Sequence, residues 1–223
     1  MEESFPAPVE RNRKILLPIY KAARVENMRA SLTADTLIVD GRKYRVNDLQ
    51  RLPEKIGFAA SQRKVADVVT LFNSATSPLG RNYPCSFSDK GRIFHSVAQY
   101  VAYAQADMFE DHDAASRVMA SQNPSACEKI GKNANGFSDA LWKMRVEAVL
   151  EKANTLKFEQ NPELIPCLRS TSGTDKIGEC NPYDNFYGTG CKIADLVAGT
   201  PDQWPGKNIN GNILKRLRDK LDS

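Results

Sequence analysis

The sequence is poor in the residues that build metal centres and disulfide frameworks. It has two histidines, His95 and His112, and five cysteines, Cys85, Cys127, Cys167, Cys180 and Cys191, in 223 residues. The cysteines are odd in number, widely spaced and form no C-x-x-C pair, which argues against a disulfide framework and a zinc site. Reduced, mostly buried thiols are expected instead. No stretch approaches the roughly 18 apolar residues of a membrane span. The start, "MEESFPAPVERNRK", lacks the apolar centre of a secretory signal. These absences fit an intracellular protein, cytoplasmic or nuclear, with no membrane partner, no metal and no cofactor. Internal repeats are absent as well.

What remains is ordinary for a globular chain: 41% apolar and 26% charged residues. The net charge of +4 permits a phosphate-bearing partner without demonstrating one. Much of the excess lies near the two ends, in "ERNRKILLPIYKAAR" and "KRLRDK", where a solvated helix face is the commoner meaning.

The organisation predicts a small N-terminal extension over 1–65 and a larger domain over 66–223. In the extension, residues 1–13 read as disordered and 14–30 as helical, interrupted at Pro18. "DTLIVDGRKYRV" gives two alternating runs about Asp40-Gly41, the favoured pair for a type I′ hairpin turn. "VNDLQRLPEKIGF" reads as a short helix. In the domain, short strands flank the turn-rich "LFNSATSPLGRNYPCSF", and "GRIFHS" is another. Helices follow over "FHSVAQYVAYAQADMF", "DHDAASRVMAS", a segment capped by Asn123-Pro124, "SDALWKMRVEAVLEKANTLKF" as the longest, a short one from Asn161-Pro162, and a terminal "NILKRLRDKL". The stretch 170–211 is loop-rich and long enough to suggest function. The fold class is α+β, predominantly helical, with few short strands.

The helix over 96–109 has a strong start. Ser96 can cap it and Gln99 completes a capping box. Val97, Tyr100, Val101, Ala104 and Met108 form one stripe; Ala98, Ala102, Gln105 and Phe109 form a neighbouring one. Position 98 is in the first turn, where the macrodipole and free N–H groups would favour an acid. It holds alanine.

Taken in order, "SPLGRNYPCSF", the 96–109 helix, Trp142 and Arg145, "LKFEQNPEL", "GECNPYDNFYGTG" and "WPGKNINGNIL" resemble the NADAR family, whose fold is also called YbiA-like. The resemblance runs from about Leu71 to Leu221. It departs from the family pattern at several positions. Gly80-Arg81-Asn82 replaces the usual Ser-Asn-Phe, Ala98 the usual Glu, Gln105 a frequent Lys, and Tyr187 the usual Trp. Two explanations compete for Ala98, a natural homologue that lost activity and a deliberate substitution that traps a substrate complex; retention of the remaining motif favours the second.

The resemblance implies an N-glycosidase. The substrate expected from it is ADP-ribose joined to guanine, as a nucleotide or in nucleic acid. The alternatives are a ribosylamino-pyrimidine phosphate of riboflavin synthesis, or a non-catalytic ADP-ribose-binding module. Such a bond breaks through an oxocarbenium-like state that a carboxylate stabilises. The family acid falls on Ala98, which implies low activity. Asp184 is the best surviving polar candidate, with an Asx turn as its ordinary alternative; Glu179 is a weaker one. Gly188 and Gly190 allow close backbone approach. Trp142 and Tyr187 suit stacking on a base, although Trp142 equally suits a core stripe. Lys157 could contact phosphate or act as a nucleophile; helix C-terminal lysines are usually neither. Lys207 and Asn208 precede the last helix, where anions bind and N-caps are common. Arg81, Tyr83 and Arg145 complete the expected substrate-binding set.

Overall fold

The computed structural model describes residues 28–45, 62–73 and 77–221, together with Val9, Asn12, Arg13, Leu16, Leu17, Ile19, Tyr20 and Ala23. The chain forms two compact units, Met1–Arg63 and Lys64–Ser223.

The first unit joins helical positions to a three-stranded antiparallel sheet of β1 (Ala30–Leu32), β2 (Leu37–Val39) and β3 (Arg42–Tyr44). Leu16, Ile19 and Ala23 pack with Leu37, Val39 and Tyr44. The turn between β2 and β3 has φ of 47° at Asp40 and 81° at Gly41. Both angles are positive, as a type I′ turn requires, so the hairpin read from this dipeptide is present. The strand β1 is not legible in the sequence, because three residues carry no period. Val9, Asn12 and Arg13 are already helical, so helix begins before position 14. The short helix expected over 46–58 lies outside the described residues.

The second unit is helix-dominated α+β. A sheet of β4 (Gln62–Val65), β5 (Val69–Asn73) and β8 (Lys176–Cys180) pairs β5 and β8 in parallel, Leu71 opposite Gly178 and Asn73 opposite Cys180. The hairpin β6 (Phe87–Asp89) and β7 (Arg92–Phe94) turns through Lys90 and Gly91 with φ of 48° and 77°. The helices are α1 (Val97–Met108), α2 (His112–Ala120), α3 (Pro124–Lys132), α4 (Asp139–Lys143), α5 (Val146–Gln160), α6 (Ile165–Arg169) and α7 (Ile209–Leu221). Side-chain caps start the first four: Ser96, Asp111, Asn123 and Ser138 each accept from a backbone N–H. At α1 the box is shifted. Gln99 Oε1 accepts from His95 N, not Ser96 N, at 2.7 Å.

The long helix expected over 138–158 is divided. Met144 N donates to Leu141 O and Arg145 N to Trp142 O, tight i to i+3 bonds that close α4 before α5 begins. The buried series afterwards runs through Val146, Leu150, Ala153, Asn154, Lys157 and Phe158. The predicted loop over 170–211 contains β8, whose glycine and charged residues hide its strand character.

Helix α7 lies against β8. A Cβ at Gly211 would overlap Ile177 O and stand 2.5 Å from the side-chain amide of Asn208. Backbone cannot yield there, so Gly211→Ala is expected to cost roughly 2–3 kcal/mol in urea unfolding.

Candidate active site

The site starts from a turn that precedes β6. Lys157 of α5 is fully buried, and its Nζ donates to Pro78 O at 2.6 Å and Gly80 O at 3.0 Å. Those two carbonyls belong to the turn that carries Arg81. Lys157 therefore fixes where Arg81 begins. Burial pulls the Lys157 pKa down, with Cys85, Cys167 and Glu179 opposing. Above its lowered folded pKa, the folded chain holds fewer protons than the unfolded one, so stability rises with pH toward the ordinary lysine value of about 10.4. Lys157→Met is expected to remove that rise. Urea midpoints of the two proteins, compared at neutral pH and in the alkaline range, would show it.

Arg81 is only 3% exposed and meets three carboxylates. Its guanidinium pairs with Glu128 of α3 at 2.9 Å, Asp184 at 2.7 Å and Glu179 of β8 at 3.6 Å. It also stacks 4.0 Å from the ring centroid of Tyr187. Burial works against its charge; Glu179, Glu128 and Asp184 more than offset this and raise its pKa. Position 98 adjoins the same residue, since Ala98 N donates to Arg81 O at 3.0 Å. The 96–109 helix and the 182–190 loop thus meet at Arg81.

Asp184 forms the Asx turn weighed for it and also meets Arg81. Its Oδ1 accepts from Phe186 N at 3.0 Å and Tyr187 N at 2.8 Å, an Asx-type turn, while Oδ2 faces Arg81. That turn sets the Tyr187 ring beneath the guanidinium. The Tyr187 hydroxyl accepts from Trp142 Nε1 at 3.4 Å. Burial pushes the Tyr187 pKa up, and Arg81 partly reverses this. Ala98, Arg81, Asp184, Tyr187 and Trp142 are therefore one connected group.

Other candidates have different surroundings. Asn208 has φ of 52° and pairs with the backbone of β8 mid-strand: its Oδ1 accepts from Glu179 N and its Nδ2 donates to Ile177 O. Gly188 meets the chain's own backbone, since a Cβ there would be 2.8 Å from Glu179 O. Gly190 has φ of 74°. Lys207 is exposed, its Nζ 5.5 Å from the Phe186 ring centroid. Tyr83 lies 5.6 Å from Lys157 Nζ, behind the turn. Arg145 is exposed at the α4–α5 break.

Sequence reasoning misses Glu128 and undervalues Glu179. Nothing in "PSACEKIGK" marks Glu128 as more than a helix charge. The usable signal is Gly131. A Cβ there would stand 2.5 Å from Gln105 Oε1 and 2.9 Å from Ala102 Cα. This glycine lets α3 press against α1, and the close approach brings Glu128 to Arg81. Chemically, three carboxylates around one cation leave the group net negative, an environment that stabilises positive charge. Among the described residues, no group of three His, Cys, Asp or Glu side chains is placed to hold a metal ion.

A family model for the NADAR domain matches residues 62–222. The chain belongs to the NADAR family. Among relatives, it is 29% identical over 125 residues to N-glycosidase R617 of Acanthamoeba polyphaga mimivirus, covering 56% of this chain and 73% of that one. It is 26% identical over 170 residues to Protein irg-1 of Caenorhabditis elegans, covering 69% and 80%. N-glycosidase YbiA of Escherichia coli K12 is 28% identical over 119 residues, covering 53% and 67%. The solution structure of E. coli YbiA superposes with a TM-score of 0.57 at 22% identity, over 72% of this chain and 89% of that one. The YbiA-like fold expected from the motifs is therefore present. No helix among the described residues is long and apolar enough to cross a membrane.

Proposed function

We propose that this NADAR chain is built to cleave the N-glycosidic bond between ADP-ribose and guanine, and that Ala98 makes the reaction slow. The observation that supports it is the meeting of position 98, Asp184 and the Tyr187–Trp142 pair about Arg81. The bond from ribose C1 to the base breaks with its electrons leaving toward the base, and positive charge develops on the sugar. Carboxylates beside C1 favour that charge. Water then adds to C1, and its proton passes to a carboxylate. Asp184 and Glu128 are the acids within reach of solvent, with side chains 14% and 29% exposed; Glu179 is fully buried.

The relatives named N-glycosidases make this reaction class the expected one for the chain. A second reading has its own observation. Arg81 already pairs with all three carboxylates, which suits a module that binds ADP-ribose without turning it over.

The test is release of guanine from an ADP-ribosylated guanine oligonucleotide, beside release of base from a ribosylamino-pyrimidine phosphate. Guanine release by the Ala98→Glu protein, exceeding that from the pyrimidine substrate, is the expected result. Greater release from the pyrimidine would transfer the chain to riboflavin chemistry. ADP-ribose binding without any release, by both proteins, would establish the binding module.

A further inference from the structure

A pocket lies on the side of α1 away from the Arg81 group. At 100° per residue, Tyr100, Tyr103, Ala104 and Asp107 form a stripe turned away from the Ala98–Ala102–Gln105 face. This stripe, the β6–β7 hairpin and Lys152 of α5 line an open cleft of about 160 Å³. At about 30 Å³ per water, that is room for several waters or one small ring.

Three aromatic rings form one wall. Phe94 packs against Tyr100 at 4.8 Å and against Tyr103 at 5.6 Å, both edge-to-face. The rings hold one another in place, so the wall is preformed. Three cations, Lys90, Arg92 and Lys152, line the same space. Its two acids are already engaged. Asp89 Oδ2 accepts from Lys152 Nζ at 2.6 Å and from Tyr100 OH at 2.8 Å. Asp107 Oδ1 accepts from Tyr103 OH at 3.1 Å. Burial and Asp89 push the Tyr100 hydroxyl up to about 12, so it remains a donor. The Arg92 guanidinium lies 5.2 Å from the Tyr103 ring centroid, and Lys90 occupies the hairpin turn at the rim. None of these residues belongs to the Arg81 group.

Of the three rings Phe94 and Tyr100 are buried and Tyr103 is half-buried; a held aromatic ring beside exposed cations is the chemistry that grips a base and its phosphate. We propose that this pocket binds a nucleoside phosphate unit, its ring against Tyr103 and its phosphate beside Arg92 and Lys90. The unit can come from a free mononucleotide or from a single strand, and both present the same groups. The proposal does not depend on glycosidase activity.

The test uses the full chain with two probes: AMP by calorimetry and a labelled ten-nucleotide single strand by fluorescence anisotropy. Tyr103→Leu is expected to weaken binding at least fivefold, the low end of a lost base–aromatic stack, while Tyr103→Phe retains it. Lys90→Gln/Arg92→Gln is expected to weaken it at least tenfold and to flatten the salt dependence. Thermal melting confirms that each variant folds. Tighter binding of the strand than of AMP identifies the strand as the source; equal binding identifies the mononucleotide. If the chain binds neither probe, or folded Tyr103→Leu binds both as the unsubstituted chain does, the proposal is overturned.

Discussion

Arg81→Met is expected to lower folding stability by about 3–5 kcal/mol, the usual cost of removing one partner from a buried ion pair. The reason lies in the count of charges. One guanidinium, 3% exposed, faces Glu128, Glu179 and Asp184. Methionine fills most of the volume but leaves three acids repelling one another with no cation between them. The stacking partner of Tyr187 is lost at the same time. Arg81→Lys should fall between the two proteins, because an ammonium keeps the charge but cannot fork to Asp184 and Glu128 together. Urea unfolding of the three proteins measures this, and a loss below about 1 kcal/mol for Met would show that the cluster is not a buried ion-pair network.

Ala98→Glu is expected to raise the rate of guanine release by about 10²-fold or more, the ordinary contribution of a positioned acid or of transition-state charge stabilisation. The new carboxylate enters the first turn of α1, which has no acid of its own, where the macrodipole favours its charge although the position is fully buried. Its backbone N–H already reaches Arg81 O, so position 98 adjoins the residue that carries the cluster. Arg81 opposes the gain, because its charge already occupies the acids that would stabilise the sugar. Ala98→Glu with Arg81→Asn, the residues that the resemblance implies at both positions, is therefore expected to exceed Ala98→Glu alone in rate, at the stability cost that loss of the Arg81 cation carries. Single-turnover release of base measures both. No increase from either folded protein would remove position 98 from the chemistry.

The hairpin at Asp40-Gly41, the caps at Ser96 and Asn123, and the order of motifs from 71 onward are legible in the sequence, because each rests on local backbone chemistry or residue spacing. The 98-to-184 pairing of segments comes from the resemblance; its physical link, Arg81, does not. In the sequence Arg81 reads as a turn cation that could pair with a phosphate, and only three-dimensional packing supplies three carboxylates from α3, β8 and the 182–190 loop. Glu128 is invisible for the same reason, since a helix charge gives no sign that Gly131 will draw its helix inward. Lys157 reads as a phosphate contact or a nucleophile. In the structure it donates to Pro78 O and Gly80 O, an anchoring role that depends on two carbonyls more than seventy residues away.

The parallel match of β5 with β8 joins Val69 to Lys176, more than a hundred residues along the chain. Glu179 lies in β8 and Asp184 just beyond it, so two of the three acids around Arg81 emerge from the ribosome long after it. Until they do, a cation destined for the interior has only Glu128 to answer it. Severing the polypeptide anywhere between 132 and 176 would leave Arg81 and its late acids on separate fragments, and the parts would have to find each other before the cluster existed.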